Sequence, residues 1–188
     1  MTTRIPGKAL PLPPGDVLRR LYRIDIDSPS GLAWNEDRGK RKRVKEGAPA
    51  GSAQSQGRWQ VMVRWVDEAG KEHLQRIYSS RVVYFLHHGE LPEGALIDHI
   101  DGDHQNNHPD NLRACTLQQN LWNRHRGDKD GHNVFPSAGG MWHGRFNIGD
   151  ETYQTEPFKS RLAARHATNK LRRELHGEFA KVEPLRKR

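Results

Sequence analysis

The strongest constraint on this chain lies between residues 95 and 126, where hydrophobic pattern and chemistry change together. Ala95–Ile100 has the pattern of a short strand, a polar loop runs through Pro109, and a second segment returns from Leu112. Thr116 then opens a helix, with Gln119 three residues on to complete a capping box and Leu117 and Leu121 spaced for a core-facing stripe. On this strand–loop–strand–helix order sit Asp98-His99, Asn106-Asn107, Asn111 and Asn120; His99 and Asn111 are 111 − 99 = 12 residues apart, and Asn111 and Asn120 are 120 − 111 = 9 apart.

A carboxylate, an imidazole and two carboxamides in one small unit suit hydrolysis of a phosphodiester. Imidazole takes a proton near neutral pH, so His99 is the candidate general base. Asp98 and Asn120 offer two hard oxygen ligands, a sparse set of the kind Mg²⁺ accepts because it keeps water and phosphate oxygens. Adjacent strand residues point to opposite faces, so Asp98 reaches a shared site with His99 only if the hairpin twists or the ion sits at the strand end. Asn111 is expected to pin the loop and thereby orient His99. Asp101-Gly102-Asp103 looks like a calcium-loop fragment but lacks the distal glutamate. His87-His88 and His104/His108 have no second pair at a finger-like spacing, so no zinc site is expected.

Charge points the same way. The net charge is +8, and excess positive charge suits a polyanion because neutralised phosphates release counterions. Residues 161–188 carry nine Lys/Arg against three Asp/Glu and residues 31–65 eight against three, whereas residues 89–115 carry six Asp/Glu and one Arg. An acidic pocket between basic flanks is what a cation site beside a phosphate track requires. The single cysteine, Cys115, excludes an internal disulfide and reads as a small core residue. No apolar run is long enough to span a bilayer and Met1–Pro14 lacks a signal-peptide core, so no membrane association and a cytoplasmic location are expected, that of the host cell if the gene is a phage's.

Along the chain, residues 1–15 hold four prolines and read as a flexible tail. A short helix is expected from Asp16 to Tyr22 and a brief strand at Ser30–Trp34. Arg38–Lys45 is a basic run, read either as a solvated loop or as a phosphate-gripping arm through Lys40, Arg41 and Arg43. Trp59, Val61, Val63 and Trp65 alternate with polar residues as a half-buried strand, Asp67–Gly70 is turn chemistry, and Lys71–Tyr78 is the returning strand. Ser79 or Ser80 is expected to cap a helix over Arg81–His88 that ends at Gly89. Short strands at Asn133–Phe135, Met141–Ile148 and Thr152–Phe158 follow a glycine-bounded linker. A last helix, capped by Ser160 and ended by Gly177, buries Ala164, Ala167, Leu171 and Leu175.

At this point the chain resembles the HNH homing endonucleases of phages and self-splicing introns. The matching text is His88–Gly94, Ile97–Asp103, Asn106-Asn107, Asn111-Leu112-Arg113 and Gln118-Gln119-Asn120, with Gly31–Trp34, Ala50–Ser52 and Trp59–Trp65 as its lead-in. Residues 133–180 resemble the APETALA2-like DNA-binding module often appended to these nucleases, through Trp142, Arg145, Phe158, Ala163-Ala164 and Glu174–Ala180. The resemblance implies an α+β chain: a ββα-metal (HNH, His-Me finger) core with an N-terminal β-hairpin lead-in, and a small C-terminal three-stranded sheet plus helix. The expected divisions are a tail (1–15), the HNH domain with its lead-in (16–126), a linker (127–132), the APETALA2-like module (133–182) and a basic tail (183–188).

It further implies His99 as base, Asp98 and Asn120 as ligands of one Mg²⁺ (or Mn²⁺), and Asn111 as the central asparagine. Arg113, Arg124, Trp142, Arg145, Arg161 and Arg165 join the basic arm as candidate contacts to double-stranded DNA, for a protein acting as a monomer. The expected activity is hydrolysis that nicks one strand and leaves 5′-phosphate and 3′-hydroxyl ends. The alternative is a non-catalytic, sequence-specific DNA-binding regulator that retains the scaffold, and a third reading is a structural virion protein.

Overall fold

The computed structural model of the chain describes residues 10–38, 44–122 (backbone alone at 121 and 122) and 133–180, and the chain divides into two compact units, 1–120 and 121–188. Lys40, Arg41 and Arg43 of the expected basic arm, Arg124, and the expected linker and basic tail lie outside the described residues. The architecture is α+β, built from small antiparallel sheets and short helices.

The first unit opens with α1 (Gly15–Leu21), then pairs β1 (Tyr22–Ile24) with β2 (Leu32–Trp34) in register Tyr22↔Trp34. Residues 10–14, expected within a flexible tail, are instead tied down: Gln75 Nε2 donates to Pro11 O at 2.8 Å, and Arg81 Nη1 to Leu10 O at 2.7 Å. A three-stranded sheet follows in the order β3 (Ser52–Ala53), β4 (Trp59–Val66), β5 (Glu72–Tyr78). The expected turn joins the last two: Asp67 Oδ1 accepts from Ala69 N and Lys71 N. Val61 and Val63 are buried while Met62 and Arg64 are exposed, as period-2 alternation requires.

Strand β5 runs straight into α2 (Ser79–His88), so the N-cap is Tyr78 and no side chain caps the helix. The expected serine cap is therefore corrected: with no loop residue before the first turn, Ser79 and Ser80 fall inside the helix and are buried, and Ser79 Oγ has no hydrogen-bond partner among the described residues. Gly89 ends α2 in the left-handed conformation at φ 84°, where a β-carbon would be strained. Val82 and Val83 of α2 join Leu18, Leu21, Tyr22, Leu32, Val61, Val63, Ile77 and Leu112 in one core. Each such buried aliphatic contributes about 1.5–3 kcal/mol.

On this core rides the hairpin of β6 (Leu96–His99) and β7 (Leu112–Cys115), followed by α3 (Leu117–Trp122). The capping box forms: Thr116 N donates to Gln119 Oε1 at 2.8 Å and Gln119 N to Thr116 Oγ1 at 3.2 Å. Leu117, expected in the core, is instead exposed at 50%.

The second unit is a sheet in the order β8 (Val134–Ser137), β9 (Met141–Ile148), β10 (Glu151–Gln154), with α4 (Arg161–His176) packed against β9. Ser160 caps α4 as expected, its side chain accepting from Ala163 N. The buried stripe differs from expectation: Ala164, Thr168 and His176 are buried, while Ala167, Leu171 and Leu175 are only half-buried. Thr168 tolerates burial because its hydroxyl donates to Ala164 O at 2.7 Å.

Gly144 allows that contact. A β-carbon there would fall 1.7 Å from Thr168 Oγ1 and 2.8 Å from Thr168 Cβ. Gly144→Ala should destabilise the second unit by about 1–3 kcal/mol or more, the cost of an overpacked contact. Thermal unfolding of the full chain reads this out. Adding Thr168→Ala should restore part of the loss but not all, since the β-carbon clash remains.

Candidate active site

Antiparallel pairing of β6 and β7 sets Asp98 opposite Arg113 and His99 opposite Leu112, and Ile100 N extends the ladder to Asn111 O at 2.9 Å. Both Asp98 and His99 are buried, each 6% exposed. Ionisable groups are taken out of water only where partners compensate them.

For Asp98 a partner is Arg113. Its Nε and Nη2 both donate to Oδ2, at 3.0 and 2.9 Å, from a guanidinium whose side chain is itself only 12% exposed. Arg113 was expected on DNA. In the structure its guanidinium is turned inward, because the hairpin register leaves it facing a buried carboxylate.

His99 Nε2 lies 3.1 Å from Asn107 Oδ1. The His104 ring stands edge-on to it at 5.4 Å between centroids, and Arg58 Nη2 meets His104 Nε2 at 3.2 Å. Burial pushes the His99 imidazole below its ordinary value, with Arg58 adding to the shift; the Asn107 hydrogen bond, Asp101 and Asp98 oppose it. The result favours the neutral ring, the form that accepts a proton. His104 is lowered by the same causes, burial first and then Arg58.

Asn111 ties the loop between the two strands. Its Oδ1 accepts from Asp101 N at 3.1 Å, and its Nδ2 donates to Asp101 Oδ1 at 3.0 Å and Asn106 O at 2.8 Å. Asp101 in turn accepts from Asp103 N and Asn106 Nδ2. These bonds hold the Asp101 carboxyl below the usual range, against the opposing effect of its partial burial.

Asn120 is half-buried on α3, its backbone N bonded to Thr116 O at 3.0 Å. Among the described residues no three His, Cys, Asp or Glu gather as metal ligands. A cation here would rest on the Asp98 carboxylate and the Asn120 amide oxygen, with the remaining positions left to water and phosphate. That donor set fits a hard divalent ion chemically, and the ion would share the carboxylate with Arg113.

Three neighbours of the base have no signal in the sequence. Asn107 stands beside Asn106 with nothing in the sequence to separate them, the His104/His108 pair has no second pair at a finger-like spacing, and Arg58 arrives from the turn before β4. No local pattern signals a contact between residues 46 positions apart.

In the second unit, alternation along β9 puts Trp142, Gly144 and Phe146 on the face covered by α4. Gly144 meets Thr168, and Phe146 lies 5.6 Å from the His176 ring. Trp142 is accordingly half-buried, with the exposed Arg161 guanidinium 5.4 Å from its ring centroid. The opposite face carries the exposed Arg145 and Asn147 and the half-buried His143; Arg145 stacks over Phe135 at 5.2 Å. Arg165 is half-buried on α4. Among the described residues no helix is long and apolar enough to cross a membrane.

Residues 78–128, which hold the Asp98-His99 hairpin and the Asn120 helix, match the HNH endonuclease family model. HNH nucleases act on nucleic acid and use a divalent metal. Protein 3.8 of Escherichia phage T7 is 30% identical over 120 residues, covering 61% of this chain and 91% of that protein. The chain belongs to the family of that phage protein and carries an HNH endonuclease domain. No solved structure matches it.

Proposed function

We propose that the protein is a divalent-metal-dependent DNA endonuclease of the homing type that nicks one strand of duplex DNA. The observation that carries this reading is the pairing of a buried, neutral-leaning His99 with a buried Asp98 at the end of one hairpin, its loop tied by Asn111. A structural hairpin of this size has no need to bury both groups.

His99 takes a proton from a water molecule as the water oxygen bonds to phosphorus. The bond from phosphorus to the 3′ oxygen breaks, leaving a 5′-phosphate, and solvent protonates the departing oxygen to a 3′-hydroxyl. Asp98 and Asn120 would hold Mg²⁺, or Mn²⁺ in its place, whose bound form supplies Lewis-acid stabilisation to the leaving oxygen. Asn111 keeps the loop shape on which the imidazole depends.

Residues 133–182 act as an APETALA2-like grip on the duplex. The face with Arg145, Asn147 and His143 supplies contacts, and Trp142 and Arg161 brace the sheet against its helix. Lys40, Arg41, Arg43, Arg124 and Arg165 add phosphate contacts, the protein works as a monomer, and its place is the host cytoplasm.

Supercoiled plasmid tests the reading. With Mg²⁺ it should relax to nicked circles, and EDTA should stop this while leaving a mobility shift. A plasmid that is bound yet stays supercoiled with Mg²⁺ or Mn²⁺ present would instead mark a DNA-binding regulator.

A further inference from the structure

We infer that Asn107 is a positioning residue for His99, holding the imidazole as the Nε2–H tautomer with its lone pair on Nδ1, and that Gly31 of the turn before β2 keeps Asn107 in place. The catalytic meaning of this rests on the nuclease reading above; the tautomer itself does not.

The contact is His99 Nε2 to Asn107 Oδ1 at 3.1 Å, between side chains of residues only 6% and 5% exposed. With the amide oxygen turned to the ring, the contact assigns the proton to Nε2. A neutral imidazole carries one N–H, so this bond assigns the lone pair to Nδ1. Which nitrogen is protonated follows from the hydrogen bond the other makes. Asn111 does not supply this bond: its amide acts on Asp101 and Asn106.

Asn107 N donates to Gln105 O at 3.1 Å within the loop, and a further support comes from outside residues 78–128. A β-carbon on Gly31 would lie 3.0 Å from each of Asn107 Cβ, Asn107 O and Val83 Cγ2, so the bare backbone of Gly31 rests directly on Asn107. Gly31 has φ +76°, a conformation other residues adopt only under strain. The turn that presents it is closed by its own bonds: Asp25 N to Gly31 O at 3.1 Å, Gly31 N to Ser28 O at 2.8 Å, and Ser28 Oγ to Leu32 O at 2.7 Å. Turn and loop together line a cavity of about 280 Å³, with Ile26 and Ser28 on one side and Asn107 and His108 on the other. The lead-in thus acts as a fixed stop behind the residue that aims the base.

Nitrogen-15 NMR of the metal-free full chain reads the tautomer without any cleavage. Wild type should show His99 Nε2 protonated, with a proton slow to exchange, and Nδ1 unprotonated. Asn107→Leu should lose that protection and cut plasmid about 10–100-fold more slowly, the usual scale for removing a partner that orients a working histidine, with DNA affinity unchanged. Asn107→Asp keeps an acceptor, so it should keep the signal and turn over faster than the leucine variant. Gly31→Ala should weaken the same signal.

A proton on Nδ1 in wild type, which would mean the amide is reversed and donates to Nε2, overturns the inference. So does full turnover by Asn107→Leu. Should Asn107→Leu fail to fold, the wild-type signal and the aspartate variant still decide. A wild type with the Nε2 signal in place but no cleavage would overturn the nuclease reading and leave the tautomer standing.

Discussion

Replacing Arg113 by methionine should destabilise the first unit by about 3–5 kcal/mol, the scale for leaving one half of a buried ion pair uncompensated. Methionine keeps most of the unbranched stem, so the change removes charge and donors more than volume. The Asp98 carboxylate would stay only 6% exposed, having lost two donors on Oδ2. Cys115, on the same strand as Arg113, already has its thiol pushed up to about 11 by burial and by Asp98 itself. Urea unfolding should show a lower midpoint with an unchanged slope. Arg113→Met combined with Asp98→Asn should recover much of the loss, because a neutral amide is cheaper to bury than a carboxylate that has lost its guanidinium. If the single variant unfolds at the wild-type midpoint, the pair does not stabilise the fold. Surface ion pairs on the same chain, such as Lys170 with Glu174, should by contrast be worth well under about 1 kcal/mol.

His99→Ala should cut the rate of plasmid nicking by about 10²–10⁴-fold, the usual contribution of a positioned general base, while leaving the DNA mobility shift intact. The two halves separate chemistry from binding. The imidazole is buried and bonded inside the loop, so it adds little to the surface that meets DNA. Its neutral form is favoured by burial and by Arg58, so the base is ready to accept a proton at neutral pH. A His99→Ala protein that nicks at the wild-type rate with Mg²⁺ would remove His99 from the mechanism. Loss of binding together with cleavage would point to a collapsed loop, which unfolding measurements on the variant would detect.

Much of the fold was legible because it is written in local signals. The β4 alternation, the Asp67 turn, the Thr116–Gln119 capping box and the Ser160 cap each depend on residues a few positions apart. The Ser79/Ser80 cap failed for want of a loop: capping needs an extended residue ahead of the helix, and that place belongs to Tyr78 at the end of β5. The helix stripe of the second unit shifted toward Thr168 because Gly144 opens a hole across from it, a matter of two elements meeting.

The same division runs through the site. Spacing alone singled out Asp98, His99, Asn111 and Asn120 and the cation chemistry they suit, since residue type and order along a strand, a loop and a helix are properties of the chain. Which of its neighbours each side chain meets was decided in three dimensions. Strand register turned Arg113 from an expected DNA contact into the counterion of Asp98, sheet parity placed Trp142 beneath a helix, and loop packing set Asn107 between His99 and Gly31. The physical reason is that local preference acts over one turn or one strand, whereas burying a charge or aiming an imidazole requires groups that only the folded chain brings within a few ångströms.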